Sequence, residues 1–181
     1  MPFQVIVLNG CSSAGKTSIA RALQALLPQP WLTFGVDSLI VAAPPALLDS
    51  PDGLVFAPDG SIAVGPAFRT LEAAWANGIA ATAHAGAGVI LDLVLLAGAD
   101  GQARWRDSLH GLSALWVGVH CDPAVAAARE TARGDRIAGM AAAQAGRVHR
   151  GVCYHLSVDT TTAAPIDCAR RIAAAMDTGA A

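Results

Sequence analysis

Residues 8–18 read Leu8-Asn9-Gly10-Cys11-Ser12-Ser13-Ala14-Gly15-Lys16-Thr17-Ser18. Within this stretch, residues 10–17 match the pattern G-x-x-x-x-G-K-[ST] of a nucleotide phosphate loop. Glycines let such a loop turn so that its backbone N–H groups and the start of the next helix face phosphate. The chain contains one lysine, and because that lysine stands in the motif, we reject the alternative of a simple glycine turn before a helix.

Each part of the motif predicts a role. Lys16 reaches the β- and γ-phosphates of a nucleotide, and the hydroxyl of Thr17 holds Mg²⁺. The remaining residues of the stretch, from Gly10 to Ser18, are predicted to bind the nucleotide. ATP and Mg²⁺ are the expected cofactors.

Apolar runs and helical periodicities alternate on both sides of the loop. Strands are predicted at residues 3–8, 31–35, 89–92, 115–120 and 156–158. Helices are predicted at residues 16–27, 38–43, 102–109, 123–133 and 137–149, and also from Pro66 and from Pro165. Two Pro-Asp-Gly turns frame a hairpin insert at about residues 49–65. This alternation predicts an α/β fold, a five-stranded parallel sheet flanked by helices.

Composition limits the classes of function. With 181 residues, of which 54% are apolar, the chain is expected to form a single domain over residues 1–181. Its net charge of −2 and scattered cations argue against nucleic acid and anionic membranes as partners. Mean hydropathy is +0.45, but the most apolar window contains His84 and Asp92, so we expect no membrane span.

The first ten residues include no basic segment, and their apolar run is too short for a secretory signal, so we expect the protein in the cytoplasm. Four separated cysteines indicate neither a disulfide framework nor a structural metal. Without a lysine beyond Lys16, the N-K-x-D segment that Ras-type GTPases use to bind guanine cannot exist. A small-molecule kinase is the class that remains.

Two aspartates follow strands of the predicted sheet. Asp92 ends the apolar run 88–91, where a carboxylate can face the Mg²⁺ beside the phosphate loop; the alternative is a strand-end aspartate that caps the next turn. Asp37 follows the strand 31–35, so it too should lie at the carboxyl edge of the sheet; the alternative, which spacing alone favours, is an N-cap of the helix 38–43.

Three arginines form a separate segment. On a helix, Arg129, Arg133 and Arg136 share one face, and Gly134 interrupts that helix. The segment, at about residues 129–146, is either a solvated face or an arginine lid that covers the phosphates and stabilises the transferring phosphoryl group.

The sequence resembles the chloramphenicol phosphotransferase family over nearly its whole length. The similar stretches, as they stand here, are LNGCSSAGKTS, PWLTFGVDSLI, VGPAFRTLEAAW, LWVGVHCD, RETARGDRIAGMAAAQA and VHRGVCYHLSVDTT. The resemblance implies a P-loop NTPase of the nucleoside-monophosphate-kinase-like type that phosphorylates a hydroxyl of an antibiotic and confers resistance. It also implies that Asp37 is the general base, and it favours the lid role of Arg133 and Arg136.

The pattern departs from the family beyond Asp92, where Leu93 replaces an expected acid and Leu95 an expected aromatic residue. We expect both leucines to face the acceptor pocket, whose apolar walls we assign to Trp31, Phe34, Val55 and Phe56. The resemblance implies that the acceptor is chloramphenicol or a related small, hydroxyl-bearing antibiotic. The alternatives are a kinase for another antibiotic, such as a capuramycin-type nucleoside, or a metabolite, and an ATP-binding regulatory module without catalysis. The sequence leaves open whether the chain forms a homo-oligomer.

Overall fold

The computed structural model describes residues 3–48, 50–134 and 139–177. Its strands are β1 (Val5–Asn9), β2 (Trp31–Gly35), β3 (Leu54–Phe56), β4 (Ile62–Val64), β5 (Gly88–Leu93), β6 (Ala114–His120) and β7 (Leu156–Asp159). Its helices are α1 (Lys16–Leu26), α2 (Val36–Ala42), α3 (Pro66–His84), α4 (Ala99–Ser108), α5 (Pro123–Arg133), α6 (Met140–Ala145) and α7 (Pro165–Asp177), with a 3-10 turn at Pro45–Leu47.

Five strands form one parallel sheet in the order β2-β5-β1-β6-β7. The phosphate-loop strand β1 lies in the centre, where Val5 pairs with Val89 on one side and with Ala114 on the other. Because all pairings are parallel, the carboxyl ends of the strands meet at one edge. The predicted five-stranded parallel sheet is confirmed.

Both faces of the sheet are covered. Alternate residues of β1 point to opposite faces, so Ile6 and Leu8 pack with α1 and α7, whereas Val5 and Val7 pack with α3 and α4. Every residue of β1 is buried. The uninterrupted apolar run that predicted this strand is thus the pattern of a central strand in a covered parallel sheet.

The segments that follow the two Pro-Asp-Gly turns pair as an antiparallel hairpin, β3–β4, with the second turn at its tip. Leu54 of the hairpin packs with Leu39 of α2 and Phe68 of α3 in a small apolar cluster of its own. The tip of the hairpin, at Gly60, touches the backbone of Gly139 and Met140 at the start of α6. The hairpin therefore contacts both α3 and α6.

Some predicted boundaries shift. The helix expected at 137–149 is observed only from Met140 to Ala145, and its predicted first residues, 137 and 138, lie outside the described residues. The helix expected from residue 38 begins at Val36, directly after β2. Among residues 3–48, 50–134 and 139–177, no helix is long and apolar enough to cross a membrane.

Candidate active site

The phosphate loop connects β1 to α1 at the carboxyl edge of the sheet. Gly15 precedes α1 with a φ of 86°, in the left-handed region where glycine is favoured. Ser13 lies in the same region with a φ of 58°, although it has a side chain. At Gly10, a Cβ would collide with the carbonyl oxygen of Val119, so this glycine is required for close packing of the loop on β6.

A cavity of about 610 Å³ opens over the loop. The loop residues in its wall are Ser12, Ser13, Gly15, Lys16, Thr17 and Ser18. Three other residues that we predicted to bind nucleotide, Gly10, Cys11 and Ala14, are not in the wall. Gly10 donates its N–H to the carbonyl of Leu93 at 3.4 Å.

Cys11 does not have the activated thiol that its place near a helix N-terminus suggests. It is only 3% exposed, and burial raises the pKa of its thiol above the ordinary value. Lys16 lowers that pKa by a smaller amount. The effect of desolvation on the pKa of the Cys11 thiol is thus larger than that of the nearby positive charge, so the pKa is raised and not lowered.

Asp92 meets both functional residues at the end of the loop. The hydroxyl of Thr17 donates a hydrogen bond of 2.7 Å to its Oδ2, and Lys16 Nζ lies 3.5 Å from its Oδ1. Lys16 Nζ also donates to the carbonyl of Cys11 at 2.9 Å. A carboxylate, a hydroxyl and an ammonium group therefore lie together where the motif predicts the metal and the terminal phosphates.

Asp37 lies in the same cavity, on the side of α2. Gly35, not Asp37, is the N-cap of that helix, and Asp37 stands in its first turn. The N-cap alternative for Asp37 is therefore wrong. Because Gly35 pairs with Asp92 across β2 and β5, the two aspartates lie near neighbouring strand ends.

The arginine segment begins on α5. Arg129 and Arg133 line the cavity, and Gly134 ends the helix with a φ of 68°. Arg129 donates from Nη2 to the carbonyl of Thr160 at 2.8 Å. Arg136, the third predicted arginine, lies outside the described residues.

The sequence did not predict the contacts of three buried polar residues of the site. Gln144 on α6 accepts a 2.7 Å hydrogen bond from the N–H of Ser12, and Thr160 after β7 donates one of 2.9 Å to the carbonyl of Ala14. Glu130 on α5 accepts from the N–H groups at the start of α6. Their stretches occur among those that carried the family resemblance, but long-range hydrogen bonds produce no spacing by which the individual residues could be recognised.

The other half of the cavity is largely apolar. Its wall includes Ile40, Leu54, Phe56, Ile62, Val64 and Phe68. Of the four wall residues that we expected, only Phe56 lines it. Val55 points outward because side chains alternate along β3, whereas Trp31 lies at the opposite end of β2, over Gly88. Phe34 packs edge-on against Trp75 in the core.

Charged side chains lie at the rim of this apolar half. Arg69 and Glu72 on α3 form an ion pair of 2.9 Å, and Arg104 on α4 lines the same region. Leu95 is in the wall, as expected, but Leu93 is not. Leu93 follows Asp92 in the strand, so it points to the other face of the sheet and borders only a neighbouring void of about 20 Å³.

A cluster of hydrogen-bonded side chains lies next to Asn9, the residue that precedes the phosphate loop. Asn9 donates to the hydroxyl of Tyr154 at 2.6 Å and to the carbonyl of Val148, and it accepts from the N–H of Leu95. His149 Nδ1 lies 2.7 Å from the Tyr154 hydroxyl. Burial, with a smaller contribution from electrostatic interaction with His120 and Lys16, lowers the pKa of His149 to about 4. Burial raises the pKa of Tyr154 to about 12, so both groups are neutral near pH 7.

The described residues contain no cluster of three or more His, Cys, Asp or Glu side chains that could hold a metal ion by themselves. The candidate Mg²⁺ ligands are therefore the hydroxyl of Thr17 and the carboxylate of Asp92, which lie together beside the loop. Mg²⁺ commonly binds through one or two protein oxygens together with substrate phosphates.

Comparison with known proteins identifies the family. The family model described as chloramphenicol phosphotransferase-like protein matches residues 3–177. The chain belongs to this family. A Mycobacterium tuberculosis protein named "Putative O-phosphotransferase Rv2636" is 31% identical, over 93% of this chain and 80% of its own length. The predicted family and the enzyme class, a small-molecule kinase with an alcohol group as acceptor, are confirmed.

Solved kinase structures share the fold. A sugar kinase from Janibacter sp. HTCC2649 superposes with a TM-score of 0.71 at 17% identity, covering 97% of this chain and 95% of its own. The APS kinase CysC of Mycobacterium tuberculosis, solved with AMPPNP and APS, gives a TM-score of 0.64 at 13% identity, with 97% and 98% coverage. The predicted P-loop kinase fold is confirmed by these neighbours.

Proposed function

We propose that the protein transfers the γ-phosphoryl group of ATP to a hydroxyl of a small antibiotic, with chloramphenicol as the first candidate, and thereby confers resistance in the cytoplasm. One observation carries this proposal: the phosphate loop and Asp37 face a common cavity, of which the half away from the loop is largely apolar. A donor nucleotide and an acceptor with an apolar body would meet at the carboxylate between them.

In the proposed reaction, the carboxylate of Asp37 accepts the proton of the acceptor hydroxyl. The hydroxyl oxygen forms a bond to the γ-phosphorus as the bond from phosphorus to the β–γ bridging oxygen breaks, which leaves ADP. Lys16, held at the loop by Asp92 and the Cys11 carbonyl, would stabilise negative charge on the phosphates. The exposure of Asp37 in the cavity is compatible with proton transfer to or from a bound acceptor.

Thr17 and Asp92 would hold Mg²⁺. Their oxygens are 2.7 Å apart, and a hydroxyl with a carboxylate is a donor set that suits this hard cation. When bound, Mg²⁺ neutralises charge on the β- and γ-phosphate oxygens. The existing Thr17–Asp92 bond keeps both side chains aimed at the same place beside the loop.

The arginines complete the proposed site. Arg133 faces the cavity from α5 and would stabilise the transferring phosphoryl group, and Arg129 would contribute positive charge to nucleotide binding. We extend the same role to Arg136 as part of a lid at about residues 129–146. The solvated-face alternative predicts no effect of these arginines on catalysis.

A different antibiotic acceptor is the second candidate. The ion pair Arg69–Glu72 and Arg104 at the cavity rim offer hydrogen-bond partners to a polar substituent, while Leu95 makes the nearby wall apolar. A capuramycin-type nucleoside is one such acceptor. A separate alternative to the kinase function is a regulatory module that binds ATP without transferring phosphate.

A phosphorylation screen tests the proposal. The protein is incubated with MgATP and chloramphenicol, or with other hydroxylated antibiotics, and the products are analysed by mass spectrometry. We expect one phosphate to be added to an acceptor, with stoichiometric ADP. Asp37→Asn should reduce kcat by about 10²–10⁴-fold while ATP affinity is kept, and Asp107→Asn, an exposed α4 aspartate outside the cavity wall, is the control. No product with any acceptor would favour the regulatory module, and normal kcat in Asp37→Asn would refute the general base.

A further inference from the structure

Two hydrogen bonds from distant parts of the chain hold the phosphate loop on either side of Ser13. The N–H of Ser12 donates to Gln144 Oε1 at 2.7 Å, and the carbonyl of Ala14 accepts from Thr160 Oγ1 at 2.9 Å. Both side chains are almost completely buried, at 3% and 2% exposure. The loop is thus fixed by residues that lie more than 130 positions later in the chain.

Ser13 needs such support. Its φ of 58° places a residue with a side chain in the left-handed region, and its buried hydroxyl has no hydrogen-bond partner within the described residues. Neither feature is favourable in an isolated loop. The conformation must therefore be imposed by contacts on its neighbours, and the bonds to Ser12 and Ala14 are the long-range contacts in position to do so.

Both supports also connect to adjacent residues of α5. Glu130 accepts hydrogen bonds of 2.9 Å and 2.8 Å from the N–H groups of Gly139 and Ala141, and so fixes the start of the helix that carries Gln144. Arg129 donates to the carbonyl of Thr160 at 2.8 Å. Two separate chains of hydrogen bonds therefore link the arginine-bearing helix to the two sides of Ser13.

We propose that Gln144 and Thr160 are positioning residues that hold the phosphate loop in its nucleotide-binding conformation and align it with α5. They act through the backbone of Ser12 and Ala14 and do not transfer protons themselves. The inference rests on the proposed function only for its effect on catalysis, because nucleotide binding can be measured without an acceptor.

The test is the affinity for Mg²⁺-AMPPNP, measured by isothermal titration calorimetry. Gln144→Ala and Thr160→Val should each raise Kd about tenfold, the effect of losing a buried hydrogen bond to the loop. Thr160→Val also removes the contact of 3.1 Å between the Thr160 hydroxyl and the carbonyl of His120. Thr160→Ser keeps the hydroxyl and should remain within about twofold of wild type. Gln102→Ala is the control: Gln102 is also 3% exposed and exchanges two hydrogen bonds with the backbone of Cys153 rather than with the phosphate loop.

A rescue variant separates positioning from general destabilisation. Glycine adopts a positive φ without the penalty of a side chain, so Ser13→Gly added to Gln144→Ala should recover about fivefold of the lost affinity. The single Ser13→Gly variant completes the double-mutant cycle. Thermal unfolding of every variant shows whether it is folded. If Gln144→Ala does not fold, the comparison of Thr160→Val with Thr160→Ser tests the proposal.

The proposal is overturned if Gln144→Ala and Thr160→Val weaken binding no more than Gln102→Ala does, or if Ser13→Gly recovers nothing. In either case the proposed kinase activity would stand. Conversely, the proposed function is refuted if the wild-type protein binds Mg²⁺-AMPPNP but phosphorylates no acceptor. The Kd values of the variants would then still decide whether Gln144 and Thr160 position the loop.

Discussion

Gly60→Ala should separate the hairpin tip from α6. Gly60 has a φ of 80°, and a Cβ at this position would overlap the carbonyl carbon of Gly139 and the nitrogen of Met140. It would also lie 2.7 Å from the Gly139 carbonyl oxygen. The clashing atoms belong to the backbone, which cannot turn aside as a flexible side chain does. The hairpin must therefore move, by about 1 Å, to restore ordinary contact distances.

Two costs determine the magnitude. An alanine at this positive φ costs about 1 kcal/mol, and forcing extra volume into a packed contact costs about 1–3 kcal/mol. We expect the free energy of unfolding to fall by about 2–4 kcal/mol. Because the hairpin forms part of the apolar wall of the cavity, the KM of the acceptor should rise more than the KM of ATP.

Urea unfolding and steady-state kinetics measure these two effects. Gly146→Ala is the control, since Gly146 follows α6 with an ordinary φ of −79° and a Cβ there would meet no neighbouring atom within 4 Å. That substitution should be neutral or stabilise by about 0.4–1 kcal/mol. Equal stability of the Gly60→Ala and Gly146→Ala proteins would show that the close contact between hairpin and α6 is not maintained in solution, and would refute the reasoning.

Other predictions use the same structure. Arg133→Ala should lower kcat with little change in the KM of ATP; unchanged kinetics would return this residue to a solvated helix face. Because burial lowers the pKa of His149 to about 4, the unfolded chain binds its proton at higher pH than the folded chain, so stability should fall as pH decreases from 6.5 towards 4. In urea unfolding at pH 7 and pH 5, His149→Gln should reduce this loss by about 1–2 kcal/mol after solvent screening, whereas the exposed control His110→Gln should not. Cys11 should react with iodoacetamide more slowly than the exposed Cys153, with or without nucleotide; rapid labelling, measured by peptide mass spectrometry, would contradict its burial.

The sheet could be predicted because its signal is local. Each strand is an apolar run bounded by glycine, proline or polar residues, and β2 at Trp31–Gly35 agrees with the prediction at both ends. The phosphate loop is likewise contiguous, so its position between a strand and a helix followed from the motif. Chemistry that depends on residues adjacent in the chain is therefore predictable from the amino-acid sequence alone.

The acceptor wall was predicted less well because it depends on which way side chains point. Val55 and Phe56 are adjacent, but strand alternation brings only Phe56 to the cavity. Leu93 and Leu95 both pack in the core cluster, but Leu95, which lies beyond the end of β5, also enters the cavity wall, whereas Leu93 does not. An apolar residue type predicts that a side chain is buried, but it does not predict whether that side chain faces the cavity.

The phosphate-loop supports were missed for another reason. Gln144 and Thr160 meet the loop through hydrogen bonds across more than 130 residues, and no periodicity connects their positions to it. Their burial is the property that distinguishes them, and neither a glutamine among alanines nor a threonine in a polar loop is a residue type that predicts burial.

The central place of β1 also affects how the chain is made. Its sheet partners are β5 and β6, which begin 83 and 109 positions after Val5, at Gly88 and Ala114. During synthesis the apolar first strand therefore leaves the ribosome long before either partner exists. By the positioning role proposed for Gln144 and Thr160, the phosphate loop that follows it is held only after both residues have been translated. A nascent chain that stops before α6 therefore lacks these two hydrogen-bond partners of the loop.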